Sequence, residues 1–249
     1  MTDRTADLSQ DTAGWPPERS VFPVAGIRLE IVPGDHPLEV AERQAIRENW
    51  QGEIAANPAL YDGRLVLQRH LAVGEKEIRG QGHLVAFSTF LWWRRQPARP
   101  GGLHLFAYPV LVSADGALVA IRMGPHTANP GQVYFAAGSL EPADIVDGRC
   151  DLDANMRREV LEETGLDLGD AASVSGYYAT HVNRVVTVFR LYRFAETAQA
   201  LAGRIARHAA EAEEQEIDGP VVIRSADPAA DRYNVSMLPI LTWFFEAEG

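Results

Sequence analysis

Two apolar runs, residues 103–112 and 117–123, stand on either side of Ser113-Ala114-Asp115-Gly116. Runs of this kind read as strands, and an Asp-Gly pair between them is a strong turn signal, so the chain is expected to fold back here as a β-hairpin. Around the hairpin, strand and helix patterns are interspersed. Residues 27–32 alternate like a half-buried strand and stop at Pro33-Gly34, whereas residues 37–56 predict one helix with Pro37 in its first turn and Leu38, Val40, Ala41, Ile46 and Trp50 as its apolar residues. After Asn57-Pro58-Ala59-Leu60-Tyr61-Asp62-Gly63, a short strand is expected over 65–68, and another over 83–93, where aromatic and β-branched residues crowd. Arg99-Pro100-Gly101-Gly102 breaks the pattern and marks a boundary. It divides a mobile tail (1–20) and an N-terminal α+β extension (21–100) from a main domain (101–249). Beyond the hairpin and a loop over 124–131 follow a strand at 133–136, strands near 174–180 and 184–194, and a helix over 196–213. A strand at 220–224 and a closing helix near 236–246 complete an α/β protein with a mixed sheet.

With 249 residues and 46% hydrophobic content the chain can bury a full core. A net charge of -11 repels nucleic-acid backbones and anionic lipid, so neither a long nucleic acid nor a membrane is expected as a partner. The first twenty residues lack the order of a signal peptide, and no apolar run reaches the ~20 residues that span a bilayer. The lone Cys150 has no disulfide partner, and a cytoplasmic location is expected.

Glu159, Glu162 and Glu163 fall within an arc of roughly 100° if residues 151–164 form a helix. Like charges three and four positions apart weaken a helix by a few tenths of a kcal/mol each, and the negative end of the helix dipole is the wrong place for acids. Gly165 followed by Leu166 nevertheless marks the helix end clearly. A hard divalent cation would resolve the conflict, because it takes carboxylate oxygens while keeping positions for water and substrate phosphate.

The segment Arg158-Glu159-Val160-Leu161-Glu162-Glu163-Thr164-Gly165-Leu166 matches the second half of the Nudix box at every specified position, and Ala137-Gly138-Ser139-Leu140-Glu141-Pro142 resembles the glycine-led loop that opens it. The resemblance covers roughly residues 103–246 and implies a Nudix α/β/α sandwich. One departure stands out: Gly138 and Arg158 are twenty positions apart, six more than the family's usual fourteen. The added residues are placed around 145–151, and they displace the glutamate that normally stands mid-box. Asp144, Asp151 and Asp153 are the candidates for its supporting work, with Asp151 or Asp153 also suited to cap the helix.

The resemblance implies hydrolysis of the pyrophosphate bond in a nucleoside diphosphate linked to another moiety, with Mg²⁺ or Mn²⁺ as cofactor. By position, Glu159, Glu162, Glu163 and the carbonyl of Gly138 become metal ligands, with Glu162, Glu163 and Arg158 in catalytic roles. A further glutamate from late in the chain is expected among Glu211, Glu213, Glu214 and Glu216, with Glu214 or Glu216 favoured. For substrate contacts the candidates are Tyr134, Arg122, His181 and Arg184, with Phe135 and His126 beside them. Trp50 and residues 57–63 are similar to the N-terminal region of members that hydrolyse UDP-sugars, although capping and turn formation explain the same residues. Two other readings stand beside this one: a catalytically silent nucleotide-binding module of the same fold, and a hydrolase of capped RNA ends. A homodimer is in keeping with the resemblance.

Overall fold

The chain from His104 to Val112 is buried at almost every position, and a strand without a polar face lies inside a sheet covered on both sides. In the computed structural model, which describes residue 12 and residues 14–247 apart from 75, 174 and 213–215, this strand is central. In chain order the first elements are β1 (Phe22–Val24), β2 (Gly26–Ile31), α1 (Pro37–Ala41), α2 (Arg43–Ala56), β3 (Arg64–Val73), β4 (Glu77–Ala86) and α3 (Phe87–Arg95). There follow β5 (His104–Val112), β6 (Leu118–Met123), β7 (Val133–Tyr134), β8 (Ile145–Val146), β9 (Arg149–Cys150) and α4 (Leu152–Thr164). The chain closes with β10 (Ala172–Ser173), β11 (Tyr177–Val182), β12 (Val185–Arg193), α5 (Ala198–Glu211), β13 (Ile217–Ile223) and α6 (Leu238–Ala247).

The main sheet runs β1-β11-β12-β5-β6-β13, with β10 against β12 and β7 against β6. Only the β12/β5 pair is parallel, so the sheet is mixed. The predicted hairpin is β5-β6, its turn completed by Gly116 at φ 75. Neighbouring residues of a strand face opposite sides. Accordingly Tyr177 of β11 bonds Asp153 on α4, while the next ring, Tyr178, packs on Trp243 of α6. Helices therefore cover both faces, as the sandwich requires. A second sheet, β3-β4-β2-β9-β8, lies beside the first and shares its core: Leu29, Val66 and Ile78 belong to the same apolar cluster as Leu105, Met156 and Val160.

The N-terminal segment is stitched into the rest at both sheets. β1 pairs with β11, and β2 pairs with β9. Residues 14–20, expected in a mobile tail, lie against β11: Trp15 meets the His181 ring edge-on and the Arg19 N–H donates to the His181 carbonyl. Residues 1–11 and 13 lie outside the described residues.

Two expectations are corrected. The strand predicted over 83–93 is the end of β4 followed by helix α3, which buries Leu91 and Trp93 on different sides and so carries no clear helical stripe for sequence reading to detect. Remote acids satisfy that helix's first amides: Asp62 accepts from Ser88 N, and Glu39 from Ala86 N and the Thr89 hydroxyl. No local signal announces partners from so far along the chain. The single helix predicted over 37–56 is broken at Glu42, and of its expected apolar residues Leu38 and Ile46 are buried while Val40 is exposed. Among the described residues no helix is long and apolar enough to cross a membrane.

The core makes a quantitative prediction. Phe189, fully buried between Tyr178 and Trp243, holds α6 on the sheet. Phe189→Ala is expected to cost about 3–5 kcal/mol in urea unfolding. Tyr61→Ala, at an exposed ring, should stay within about 0.5 kcal/mol of the parent protein.

Candidate active site

Helix α4 is set by its ends. Asp151 caps it by accepting from Ala154 N at 2.9 Å, and Gly165 closes it at φ 67, where a Cβ would come within 2.7 Å of His208. Its inward side carries Leu152, Met156 and Val160 into the core, and the same turns bury Glu159 and Glu163. Glu162 remains largely exposed.

The anchor of this helix is Arg158. Its guanidinium meets Asp144 through both Nε and Nη2, at 3.3 and 3.0 Å, and reaches Glu159 at 2.9 Å, Glu162 at 3.1 Å and Glu141 at 3.2 Å. Asp144 is 2% exposed, and its carboxylate also accepts from Asn155 Nδ2 and from Glu141 N. Burial disfavours the Arg158 charge, but the hydrogen bonds and charge of Asp144 and the charge of Glu159 outweigh it and raise its pKa. Of the three aspartates left open by sequence, Asp144 is therefore the one that supports Arg158. Asp151 caps α4, and Asp153 bonds Tyr177 and pairs with Arg190.

The added residues explain why this works. They form the β8-β9 hairpin, whose Asp147-Gly148 turn has φ 48 and 73 at its two centres. At its base the Asp151 N–H donates to the Asp144 carbonyl at 2.8 Å, so the chain enters and leaves the hairpin at one point. Its second strand, β9, pairs with β2 through Glu30 and Arg149 and leaves β8 at the sheet edge.

Beside the helix, Gly138 leaves room for the Glu159 carboxylate, which a Cβ there would overlap and force to move. Burial, then the charges of Glu162, Asp144 and Glu141, push the Glu159 pKa up to about 7 against the opposing pull of Arg158. Glu163 is raised well above the usual carboxylate range, mainly by burial and then by Glu159 and Glu216. The Ala137 backbone bonds the Glu163 carboxylate, but Glu163 Oε2 is buried without a partner. An orphaned carboxylate oxygen among mutually repelling acids is what a cation-binding donor set presents, and the residues fit a hard divalent ion by chemistry. Among the described residues no three acidic, His or Cys side chains are already gathered as a cage for one.

Two hollows flank the acids. A smaller one, about 260 Å³, is lined by Glu162, Glu163, His208 and Glu216. The larger, about 790 Å³, opens beyond Gly138 and Ser139 and is lined by rings including Phe90, Phe106, Tyr108 and Tyr134. Tyr134 links the two: its phenol pKa is raised by burial and then by the charge of Glu163.

The other sequence candidates sit elsewhere. Arg122 is held bidentate by Asp231, His181 Nε2 lies 2.7 Å from the Pro16 carbonyl, and Arg184 Nε donates to the Gly102 carbonyl. None of the three lines the larger cleft, and Phe135 is wholly buried. His126 contributes a carbonyl that accepts from Asn57, and Trp50 and residues 57–63 are absent from the cleft lining. Glu213 and Glu214 lie outside the described residues, whereas Glu216 is exposed beside Glu163. Sequence reasoning did not single out the cleft arginines Arg94, Arg99 and Arg232: Arg94 directly follows the run read as a strand, and Arg99 opens the segment read as a boundary.

No protein-family profile matches the chain, and no curated protein matches it. Solved structures with a similar backbone include the MutT protein from Methanosarcina mazei Go1, 14% identical over 59% of this chain and 95% of its own, with a TM-score of 0.38. DR0079 from Deinococcus radiodurans is 13% identical over 61% of this chain and 89% of its own, at 0.40. RenU, a Nudix hydrolase from M. smegmatis, is 10% identical over 59% of this chain and 84% of its own, at 0.36.

Two outcomes are expected. Asp144→Ala leaves Arg158 without its buried partner, and urea unfolding should register a loss of about 3–5 kcal/mol. In the metal-free protein, Glu159 binds its proton more tightly when folded, with a pKa raised from 4.5 to about 7. Its favourable contribution is complete below 4.5 and is lost as pH rises through about 7. Unfolding in chelator should show stability falling across that window, and Glu159→Gln should flatten the fall.

Proposed function

We propose that the protein is a Nudix-type pyrophosphohydrolase that uses Mg²⁺ or Mn²⁺ to split a nucleoside diphosphate joined to another moiety, nucleotide sugars among the candidates. The observation that carries this reading is the buried Glu163 carboxylate, with one oxygen unpartnered, beside Glu159 and lining a hollow of about 260 Å³. A divalent ion held there would neutralise charge on the phosphoryl oxygens and acidify a water.

The chain's own groups divide the remaining work. Glu159 and Glu163, with Glu216 and the Gly138 carbonyl, would supply the oxygen donors for a divalent ion, and both buried acids would have to be deprotonated to hold it. Arg158, fixed by Asp144, holds Glu159 and Glu162 in place. Glu162, the exposed carboxylate of the three, is placed to accept the proton of the attacking water as the new P–O bond forms and the anhydride P–O bond breaks. Glu214, two positions before Glu216 in the sequence, is a second candidate for that proton. Tyr134 borders the acids from the substrate side.

A second reading has its own support. Arg158 already compensates Glu159 and Glu162, an arrangement that would also serve a silent nucleotide-binding module of the same fold. Incubation with Mg²⁺ or Mn²⁺ and a panel of nucleotide sugars, ADP-ribose, NADH, dinucleoside polyphosphates, coenzyme A and capped RNA ends separates the two. At least one should be cleaved, and Glu163→Gln should lower that rate by about 100-fold or more. Binding without turnover across the panel would favour the silent module.

A further inference from the structure

The larger cleft combines rings with cations. At one end Tyr134 feels the charges of Glu163 and Glu216. From there a row of rings leads away: Tyr134 to Tyr108 at 6.4 Å, Tyr108 to Phe106 at 4.8 Å, Phe106 to His104 at 5.4 Å and His104 to Phe90 at 4.5 Å. Arg99 stands beside the other rings, its guanidinium 5.4 Å from the Trp93 ring, while the Arg94 guanidinium lies 5.9 Å from the Phe90 ring and is tied back to Tyr134 through Asn129, whose Oδ1 accepts from Arg94 and whose Nδ2 donates to the Tyr134 hydroxyl. Phe90 and Trp93 are stacked 6.0 Å apart, so the two cations stand over one aromatic pair.

These cations are held in place but not neutralised. Arg94 donates to the Ala128 carbonyl and to Asn129 Oδ1, and Arg232 to the Pro130 carbonyl, so both grip the same loop. Arg99 donates to the Asn183 carbonyl, and its Nε is buried with no acceptor. The nearest acid to Arg94, Glu53, is taken up by Arg95. Among the described residues no carboxylate comes within ion-pair distance of Arg94, Arg99 or Arg232. Burial disfavours the charges of Arg94 and Arg99, Arg232 adds an exposed guanidinium to the same cleft, and the planar forks of all three match carboxylate and phosphate oxygens. An oxyanion supplied by a ligand resolves the arrangement.

We infer that Arg99, with Arg94 and Arg232 lining the same cleft, binds a second anionic group of the substrate besides the anhydride that is hydrolysed, while a flat ring of the same ligand lies over the row of rings. The substrate class is then a nucleoside diphosphate derivative with a peripheral phosphate or carboxylate. The segment before residue 101 thereby supplies the specificity of a site whose chemistry lies in α4, since α3 brings Phe90 and Arg94 to the cleft. This inference rests on the hydrolase reading for where the diphosphate lies, but its test needs no turnover.

Calorimetric titration of the full chain in Ca²⁺ compares two ligand pairs that differ by one anion. ADP-ribose against its 2′-phosphate tests a phosphate, and UDP-glucose against UDP-glucuronate tests a carboxylate. The more anionic member of at least one pair should bind about tenfold tighter or better. In Arg99→Gln or Arg232→Gln, each checked for folding by thermal melt, that preference should collapse. Arg232 is exposed, so its variant serves if the Arg99 variant is unstable. Equal affinities within both pairs would overturn the inference and leave the hydrolase reading standing, with the arginines on the diphosphate itself. A preference that survives in both variants, or no binding of any of the four ligands, would also overturn it.

Discussion

The acid cluster depends on one buried ion pair. Asp144 holds Arg158 by both Nε and Nη2, and Arg158 in turn sets the positions of Glu159 and Glu162. Isolated, each member of this set would be unfavourable: a carboxylate at 2% exposure, an arginine partly withdrawn from water and acids at the end of a helix. Together they balance, because Asn155 and the Glu141 amide satisfy what Arg158 leaves over on Asp144. The balance stops short of Glu163, which keeps an unpartnered oxygen and a raised pKa. The cluster is thus rigid where it is anchored and unsatisfied where a ligand would enter.

Charge of the opposite sign lines the larger cleft, from Arg94, tied through Asn129 to Tyr134, to Arg99 beside Trp93. There backbone carbonyls, which carry no formal charge, orient Arg94, Arg99 and Arg232 without cancelling them. Beside them lie rings whose faces are tolerant of many flat ligands. Local cationic charge of this kind also reconciles an overall charge of -11 with an anionic ligand, since salt largely screens out the repulsion from charges more than a Debye length of about 8 Å away.

Much of this was legible in sequence where the signal is local. The Asp115-Gly116 turn, the Gly165 cap and the three glutamates at helical spacing all follow from neighbours in the chain. What escaped depends on contacts between distant residues. Helix α3 reads as strand by composition and is secured by Asp62 and Glu39, and with α3 misread, the arginines at its end had no place in a site. Asp144, Asp151 and Asp153 are chemically alike, and only their tertiary partners separate anchor from cap from tether. Arg122 and His181 drew attention by residue type, yet Asp231 and the Pro16 carbonyl occupy them.

The β8-β9 hairpin begins at Asp144 and ends at Asp151, two residues joined by a single backbone hydrogen bond. A detour whose entrance and exit coincide leaves no trace on the path it interrupts, so chain length can vary here while the distance from anchor to helix stays constant. Its far rim, meanwhile, docks on β2. The protein has in effect placed a handle on its most sensitive helix: the chemistry is insulated from the length of the detour, but whatever displaces the second sheet pulls at the point where Asp144 and Asp151 meet.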